Sequence, residues 1–341
     1  MPRYHGRRKR RLSGSMIAVI VIGTLLAYAG ILFLVNAVGT RLEKQDVPEP
    51  VGSLDGRFES TALTVQSGGR TWTYRERELT NILLLGIDWD DSVSTSSSRY
   101  AGQADFLLLI TLDRGNRTIS TLQLDRDTMT DIRIYGPFGD YTGLRTEQIC
   151  LSHAYGATAA ENCENAVWAV QNLLLDVPID GYIAMDMSGI STLNDALGGI
   201  TVTLEDDFSS VDPSMTLGKT ITLQGKQAEY FVRSRMQIGS GTNAGRMIRQ
   251  RTFIREAEKV LVQKMNEDLG FIDTLFDAIS DYVTTDIDRT WLVDKAYGCQ
   301  SYSQPDTVIP AGSHVVGEDG FMEFYPDEDA LQETVLTSFF K

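Results

Sequence analysis

Histidine and cysteine are scarce, with three of each in 341 residues. No two cysteines form Cys-x-x-Cys, and His5, His153 and His314 lie far apart along the chain. That excludes the usual thiolate and imidazole frameworks for zinc. No Gly-x-Ser-x-Gly elbow marks a serine hydrolase. The run "LGKT" at 217–220 ends like a phosphate loop, but Pro213 stands where the first glycine of that motif belongs. No fixed-period repeat and no long low-complexity tract is present, and 42% apolar against 23% charged residues suits a packed core.

Acid is missing over a long opening stretch. Residues 1–15 carry six basic side chains and no acid, and Met16 to Gly39 runs without any charge. Twenty-odd apolar residues span a bilayer as a helix. A signal peptide with a Val35-x-Ala37 cleavage site is the competing reading, but its apolar region usually spans only about 7–15 residues. The expectation is therefore an uncleaved single-pass anchor over 16–39. Its basic tail, 1–15, stays in the cytoplasm by the positive-inside rule, and the remainder lies outside the cell membrane. Fifteen cytoplasmic residues leave no room for a helix-turn-helix reader of DNA.

The remainder is strongly acidic. Without the six flanking charges, the formal net charge falls from −15 to −21. Nucleic acid rewards a basic face, so no nucleic-acid partner is expected. Any anion must be gripped locally, by a few aimed cations. Outside the membrane Cys150 and Cys163, thirteen residues apart across a Gly-Ala-Thr turn, can pair as a disulfide. The alternative is three small buried hydrophobes.

Residues 40–78 contain Pro48, Pro50 and several glycines and read as a stalk, with a possible short hairpin in "TALTVQSGGRTWTYRER" (61–77). From Asn81 the pattern sharpens. The apolar runs "NILLLG" (81–86), "ADFLLLITLD" (104–113) and "RTISTLQLD" (117–125) predict three strands. "AAENCENAVWAVQNLLLD" (159–176) has helical spacing, "PIDGYIAMDM" (178–187) reads as a strand, and "SGISTLNDALGG" (188–199) as a short helix stopped by its glycines. "ITVTLE" (200–205) predicts a strand, "LQGKQAEYFVRSR" (223–235) a helix, and Gly245 to Met265 a long helix. Two or three more helices and a strand at "TVIPAG" (307–312) complete the chain. Interleaved strands and helices predict an α/β fold, an α-β-α sandwich with a mixed central sheet. The main α/β domain is placed at 79–268, with a helical extension, 269–341, packed on the same domain.

The densest cationic segment is "VRSRMQIGSGTNAGRMIRQR", 232–251, with five arginines and no acid. Arg233 and Arg235 share a side if the chain there is extended. Arg246 and Gln250, four apart, share a helix face with Phe253 and Ala257, which is the core side. Arg246 and Gln250 therefore point inward at a helix N-terminus, where free amides favour anions, and guanidinium groups add bidentate phosphate contacts. Arg249, Arg251 and Arg255 are expected to face solvent. Asp88 follows one strand, Asp105 opens the next, and Arg126 with Asp127 closes a third in "LDRDT". Ligands of α/β folds sit at such strand ends. Two carboxylates among arginines suit Mg²⁺ on a diphosphate, since Mg²⁺ keeps water and takes only one or two carboxylates.

Behind a single anchor, "NILLLGID", "ADFLLLITLDRGNRTISTLQLDRDT", "AYG", "PIDGYIAMDM", "LNDALGGITV" and the arginine segment resemble the LytR–CpsA–Psr family of cell-wall ligases over roughly 80–265. The resemblance implies a phosphotransferase outside the membrane. It would take a glycopolymer, such as teichoic acid or capsule, from a polyprenyl-pyrophosphate donor and attach it to peptidoglycan as a phosphodiester. In the family's pattern Arg126, Arg233, Arg235, Arg246 and Gln250 hold the pyrophosphate and Asp88 and Asp105 hold Mg²⁺. A hydrophobic tunnel takes the polyprenyl chain. Arg235 and Asp127 are the candidate catalytic residues, with Asp88 or the metal as other means of activating the acceptor hydroxyl. A non-catalytic polyprenyl-phosphate scaffold and a pyrophosphate hydrolase are the alternatives. Two positions depart from the pattern. Gln103 replaces an arginine two residues before Asp105, for which Arg99 offers a substitute charge, and Asn243 replaces an aspartate three residues before Arg246, so no base is available there.

Overall fold

The computed structural model describes residues 63–88, 102–136, 139–268, 271–288 and 302–341, together with Trp291, Lys295 and Cys299. The basic tail, the expected membrane span at 16–39, most of the stalk and Arg99 lie outside the described residues. Among the described residues no helix is long and apolar enough to cross a membrane.

A hairpin, β1 (Thr64–Ser67) and β2 (Arg70–Thr73), opens the described chain. The centre is a five-stranded sheet built from β3 (Leu79–Asp88), β4 (Gln103–Asp113), β5 (Thr118–Leu124), β8 (Gly181–Asp186) and β11 (Val283–Thr285). The order is β11-β8-β3-β4-β5. β3 runs parallel to β8 and antiparallel to β4, so the sheet is mixed, as expected. The parallel pair is joined through the hairpin β6 (Met129–Tyr135) and β7 (Tyr141–Gln148), a 3₁₀ turn and helix α1 (Ala159–Leu173).

Side-chain alternation divides the core in two. Ile82 and Leu84 of β3, Leu108 and Ile110 of β4 and Ile183 of β8 pack on one face. That face is covered by α2 (Gly189–Leu197), α3 (Lys226–Arg233), α4 (Asn243–Glu267) and α5 (Phe271–Ile279). Leu83, Leu85, Leu107, Leu109 and Leu122 point to the other face, under α1 and the terminal helix α6 (Glu328–Phe339). The result is three layers with both sheet faces buried, which is why β3 and β4 read as near-continuous apolar runs. α2 ends on Gly198 in the left-handed region, φ 87°. A small ribbon of β9 (Thr201–Thr203) and β10 (Thr220–Thr222) leads into α3.

The described part of the last seventy residues is only partly helical. β11 completes the edge of the central sheet, and β12 (Gly312–Val316) pairs with β13 (Met322–Pro326) in an antiparallel hairpin. The strand expected at 307–312 is corrected to this hairpin: Val308 makes only an isolated bridge to Leu122, and the ladder begins at Gly312. The helix expected over 223–235 spans only Lys226–Arg233, because Ser234 turns extended. All three cysteines are buried free thiols. Burial pushes the Cys150 thiol up to about 12, and Cys163 faces the His153 ring at 3.7 Å.

Candidate active site

Antiparallel pairing brings the end of β3, the start of β4 and the end of β5 to one edge of the sheet. At that edge Gly86 pairs with Phe106 and Ile87 with Ala104, so Asp105 is the extra residue of a bulge. Such a bulge re-aims a side chain. Gly86 is required there: a Cβ would stand 2.9 Å from that of Phe106. Asp88 and Asp105 thus end side by side although seventeen residues separate them in the chain.

The arginines close over these acids. Arg246 leaves the first turn of α4, is 4% exposed, and donates to Asp105 Oδ2 at 2.5 Å. Its Nε and Nη2 donate to Asn243 Oδ1 at 3.1 and 2.7 Å. Arg126 reaches the other oxygen of Asp105 at 2.5 Å and Asp127 Oδ1 at 3.3 Å. It also donates to Gln103 Oε1, and to Cys150 Sγ at 2.9 Å. Burial alone would lower the Arg126 pKa, but Cys150, Asp105 and Asp127 hold it above the ordinary value.

Arg233 and Arg235 part company, against the expectation of a shared side. Arg233 ends α3 and pairs with Asp88 and Glu229. Arg235 lies two residues on in extended chain, with its Nη2 3.7 Å from Asp127 Oδ2 and its buried Nε lacking a hydrogen-bond partner. Burial, with the nearby charge of Asp105, raises the pKa of Asp88 despite Arg233. Burial likewise raises that of Asp127, with Arg126 opposing it.

Arg249 and Arg251 correct the solvated-face expectation. Arg249 is 6% exposed; it ties the end of α3 to α4 by donating to Phe231 O at 3.0 Å and to Ser234 O, and it pairs with Asp206 at 2.8 Å. Arg251 donates to Gln123 Oε1 at 2.5 Å. Only Arg255 of the three stands in solvent, beside Glu256.

Both departures from the family pattern acquire a local reason. Gln103 accepts from Arg126, which an arginine at that position could not do. Asn243 faces an acid and a base together: its Nδ2 donates to Asp125 Oδ1 at 2.6 Å while its Oδ1 accepts from Arg246. An aspartate there would oppose Asp125. The sequence reading passed over Asp125, which is 4% exposed and carries His314 Nε2 on its second oxygen at 3.0 Å.

Beneath the polar cluster lies an apolar cavity of about 940 Å³, including its open mouth. It runs between the sheet and α2, α4 and α5. Gly86, Phe106, Val232 and Gln250 line the part next to the arginines, and Leu197, Leu261, Leu275 and Ile279 line the rest. Among the described residues Gln250 is the one polar side chain in the lining. Its Oε1 accepts from Gln123 at 3.4 Å and its Nε2 is buried without a partner. A chain with an apolar tail and a polyanionic head matches this sequence of surfaces.

Among the described residues no group of three or more His, Cys, Asp and Glu side chains is placed to hold a metal ion. Asp88 and Asp105 are hard oxygen donors of the kind Mg²⁺ accepts, and here both oxygens of Asp105 pair with Arg246 and Arg126 while Asp88 pairs with Arg233, so a cation would share these carboxylates with the arginines.

The LytR_cpsA_psr family model matches residues 52–334. A Bacillus cereus protein named polyisoprenyl-teichoic acid--peptidoglycan teichoic acid transferase TagU is 31% identical over 260 residues, covering 75% of this chain and 77% of that one. An Enterococcus faecalis protein of the same name is 31% identical over 276 residues, with 80% of each chain covered. The crystal structure of Bacillus subtilis TagV is similar at a TM-score of 0.58 and 25% identity, over 76% of this chain and 95% of that one.

Proposed function

The chain belongs to the LytR–CpsA–Psr family, and we propose that it transfers a glycopolymer from a polyprenyl-pyrophosphate carrier to a peptidoglycan hydroxyl, leaving a phosphodiester. One observation carries this reading: an arginine-lined sheet edge opens onto an apolar cavity, with Gln250 at the junction. The relatives bear the name of teichoic acid transferases, so a teichoic acid is the first donor class to supply. In this reading the uncharged run at 16–39 serves as the membrane anchor, so that the site would meet lipid-linked donor and peptidoglycan on the outer face of the membrane.

Phosphoryl transfer needs alignment and charge stabilisation more than covalent help. Arg126 and Arg246 are the fixed part, both locked on Asp105, with Arg246 buried and Arg126 partly so. Arg233 and Arg235 are the responsive part, each half-buried at the cleft with an acid that a phosphate can displace. Asp127 lies between Arg126 and Arg235 and keeps both aimed at the same place. The N-terminus of α4, capped by Thr242 Oγ1 on the Gly245 amide, adds its dipole to the positive field. The cavity takes the polyprenyl tail, and its burial fixes the diphosphate at the arginines.

Asp88 and Asp105 would hold Mg²⁺. Bound there, the ion would neutralise phosphate charge and the repulsion between the two carboxylates. Asp88→Ala is expected to remove most activity together with its dependence on Mg²⁺, as a transfer assay across a Mg²⁺ titration would record. A wild-type protein equally active in excess EDTA would refute the metal.

The function itself is tested with a polyprenyl-diphosphoryl saccharide donor and a peptidoglycan oligosaccharide acceptor. The expected product is the acceptor carrying a phosphodiester-linked saccharide, with polyprenyl phosphate released. Donor binding without turnover would make the protein a scaffold. Release of polyprenyl phosphate at the same rate without acceptor would make it a hydrolase.

A further inference from the structure

Attack on the diphosphate requires the acceptor hydroxyl to lose its proton, and Asn243 cannot take one. Asp127 is a poor candidate in this geometry. It is 4% exposed, and its two oxygens lie against Arg126 and Arg235. A different group reaches the same edge from the far end of the chain. The β12–β13 hairpin docks on the turn after β5: Phe324 N donates to Asp127 O at 2.7 Å, and Thr128 bridges to Phe324. This brings His314 of β12 onto Asp125, Nε2 to Oδ2 at 3.0 Å.

The ring is well fixed. It lies against Phe324, with centroids 4.8 Å apart. The hairpin beneath it is tight, for a Cβ on Gly312 would fall 2.3 Å from Tyr325 O. Asp125 is fixed as well, by Asn243 Nδ2 at 2.6 Å and by the Asp127 amide at 2.9 Å. In the neutral ring, a carboxylate that accepts from Nε2–H leaves Nδ1 as the lone-pair nitrogen. Nδ1 has no hydrogen-bond partner among the described residues, and the side chain is 36% exposed. A buried acid, an oriented imidazole and an open ring nitrogen form the arrangement that activates a hydroxyl in nucleophilic enzymes. Arg126 and Asp127 follow Asp125 on the same turn, Arg246 stands behind Asn243, and Glu323 of β13 accepts from the Tyr325 hydroxyl at 2.8 Å.

We propose that His314, oriented by Asp125, is the catalytic base that accepts the proton of the peptidoglycan hydroxyl. The proposal rests on the transfer reaction above. In the step, the acceptor oxygen bonds to the phosphorus that bears the saccharide. The bond from that phosphorus to the bridging oxygen breaks, and its electron pair leaves on polyprenyl phosphate. The hydroxyl proton passes to Nδ1 and is then lost to water. The residue is supplied by a hairpin remote in sequence, so the C-terminal segment completes the site as well as packing against it.

The test uses the full-length chain with the synthetic donor and acceptor already named. Positioned base catalysis contributes about 10²–10⁴-fold, so His314→Ala is expected to lose at least about 100-fold in kcat while donor affinity, measured separately, is retained. Because the ring is partly exposed, added imidazole is expected to restore turnover to His314→Ala and to leave Asp127→Ala unrestored. Asp125→Asn, which keeps the shape but weakens the hold on Nε2, is expected to fall between wild type and His314→Ala. Undiminished turnover in His314→Ala overturns the proposal. So does a joint loss of donor binding and turnover that imidazole leaves unchanged, since that describes a structural histidine. A wild-type protein that binds donor yet transfers nothing defeats the transfer reaction itself, an outcome distinct from both.

Discussion

Arg235→Ala is expected to reduce transfer by about 10²–10³-fold, the usual cost of removing one preorganised donor from a developing anion, with little change in stability. The structure separates these two effects. Arg235 lies outside α3, and its ion pair with Asp127 is long at 3.7 Å. Its Nε is buried without a hydrogen bond, so the group is held in place with donor capacity to spare. A partly exposed pair of that length contributes under about 1 kcal/mol. The cation is thus poorly used by the folded protein and well placed for a phosphate. Thermal unfolding should leave Arg235→Ala within a few degrees of wild type, while kcat falls and the donor dissociation constant rises. A variant with full turnover would remove Arg235 from the site. One that melts far below wild type would show that the side chain holds the fold instead.

The apolar strands were legible in the sequence because both faces of the sheet are covered. Ile82 to Leu85 and Leu107 to Ile110 read as strands without alternation and proved to be two of the three interior strands. The β6–β7 hairpin was not legible. Its second strand, Tyr141–Gln148, is mostly exposed and polar, so neither an apolar run nor a clear period marks it. The exposed strand β12 escaped for the same reason. Within the site, clustering made the arginines visible, and helical spacing placed Arg246 and Gln250 inward correctly. The same spacing misplaced Arg249, because a helix wheel carries no record that the end of α3 and Asp206 pack over that side. Asp125 and His314 illustrate the harder case. They lie 189 residues apart, each is unremarkable alone, and only the docking of a late hairpin makes them a pair.

Arg246→Ala is expected to behave unlike Arg235→Ala, losing stability and activity together. Arg246 is 4% exposed and donates three hydrogen bonds, one to Asp105 and two to Asn243. Removing it leaves the 4%-exposed Asp105 with Arg126 as its one ion-pair partner among the described residues, and deprives Asn243 of the donors that orient its amide toward Asp125. Breaking a buried pair by deleting one partner costs about 3–5 kcal/mol, since the remaining charge stays desolvated. At about 2–4 °C per kcal/mol for a domain of this size, the midpoint should fall by roughly 10 °C. Arg246→Lys separates charge from geometry. The ammonium can keep the contact with Asp105 but cannot span Asp105 and Asn243 together as the planar fork does. Its midpoint should therefore lie between those of wild type and Arg246→Ala, while transfer stays near the level of the alanine variant. Thermal unfolding and transfer measured on the same three preparations decide the matter. If Arg246→Ala melts with wild type, Asp105 has another way to satisfy its charge, and the lattice of acids and arginines is looser than its distances indicate.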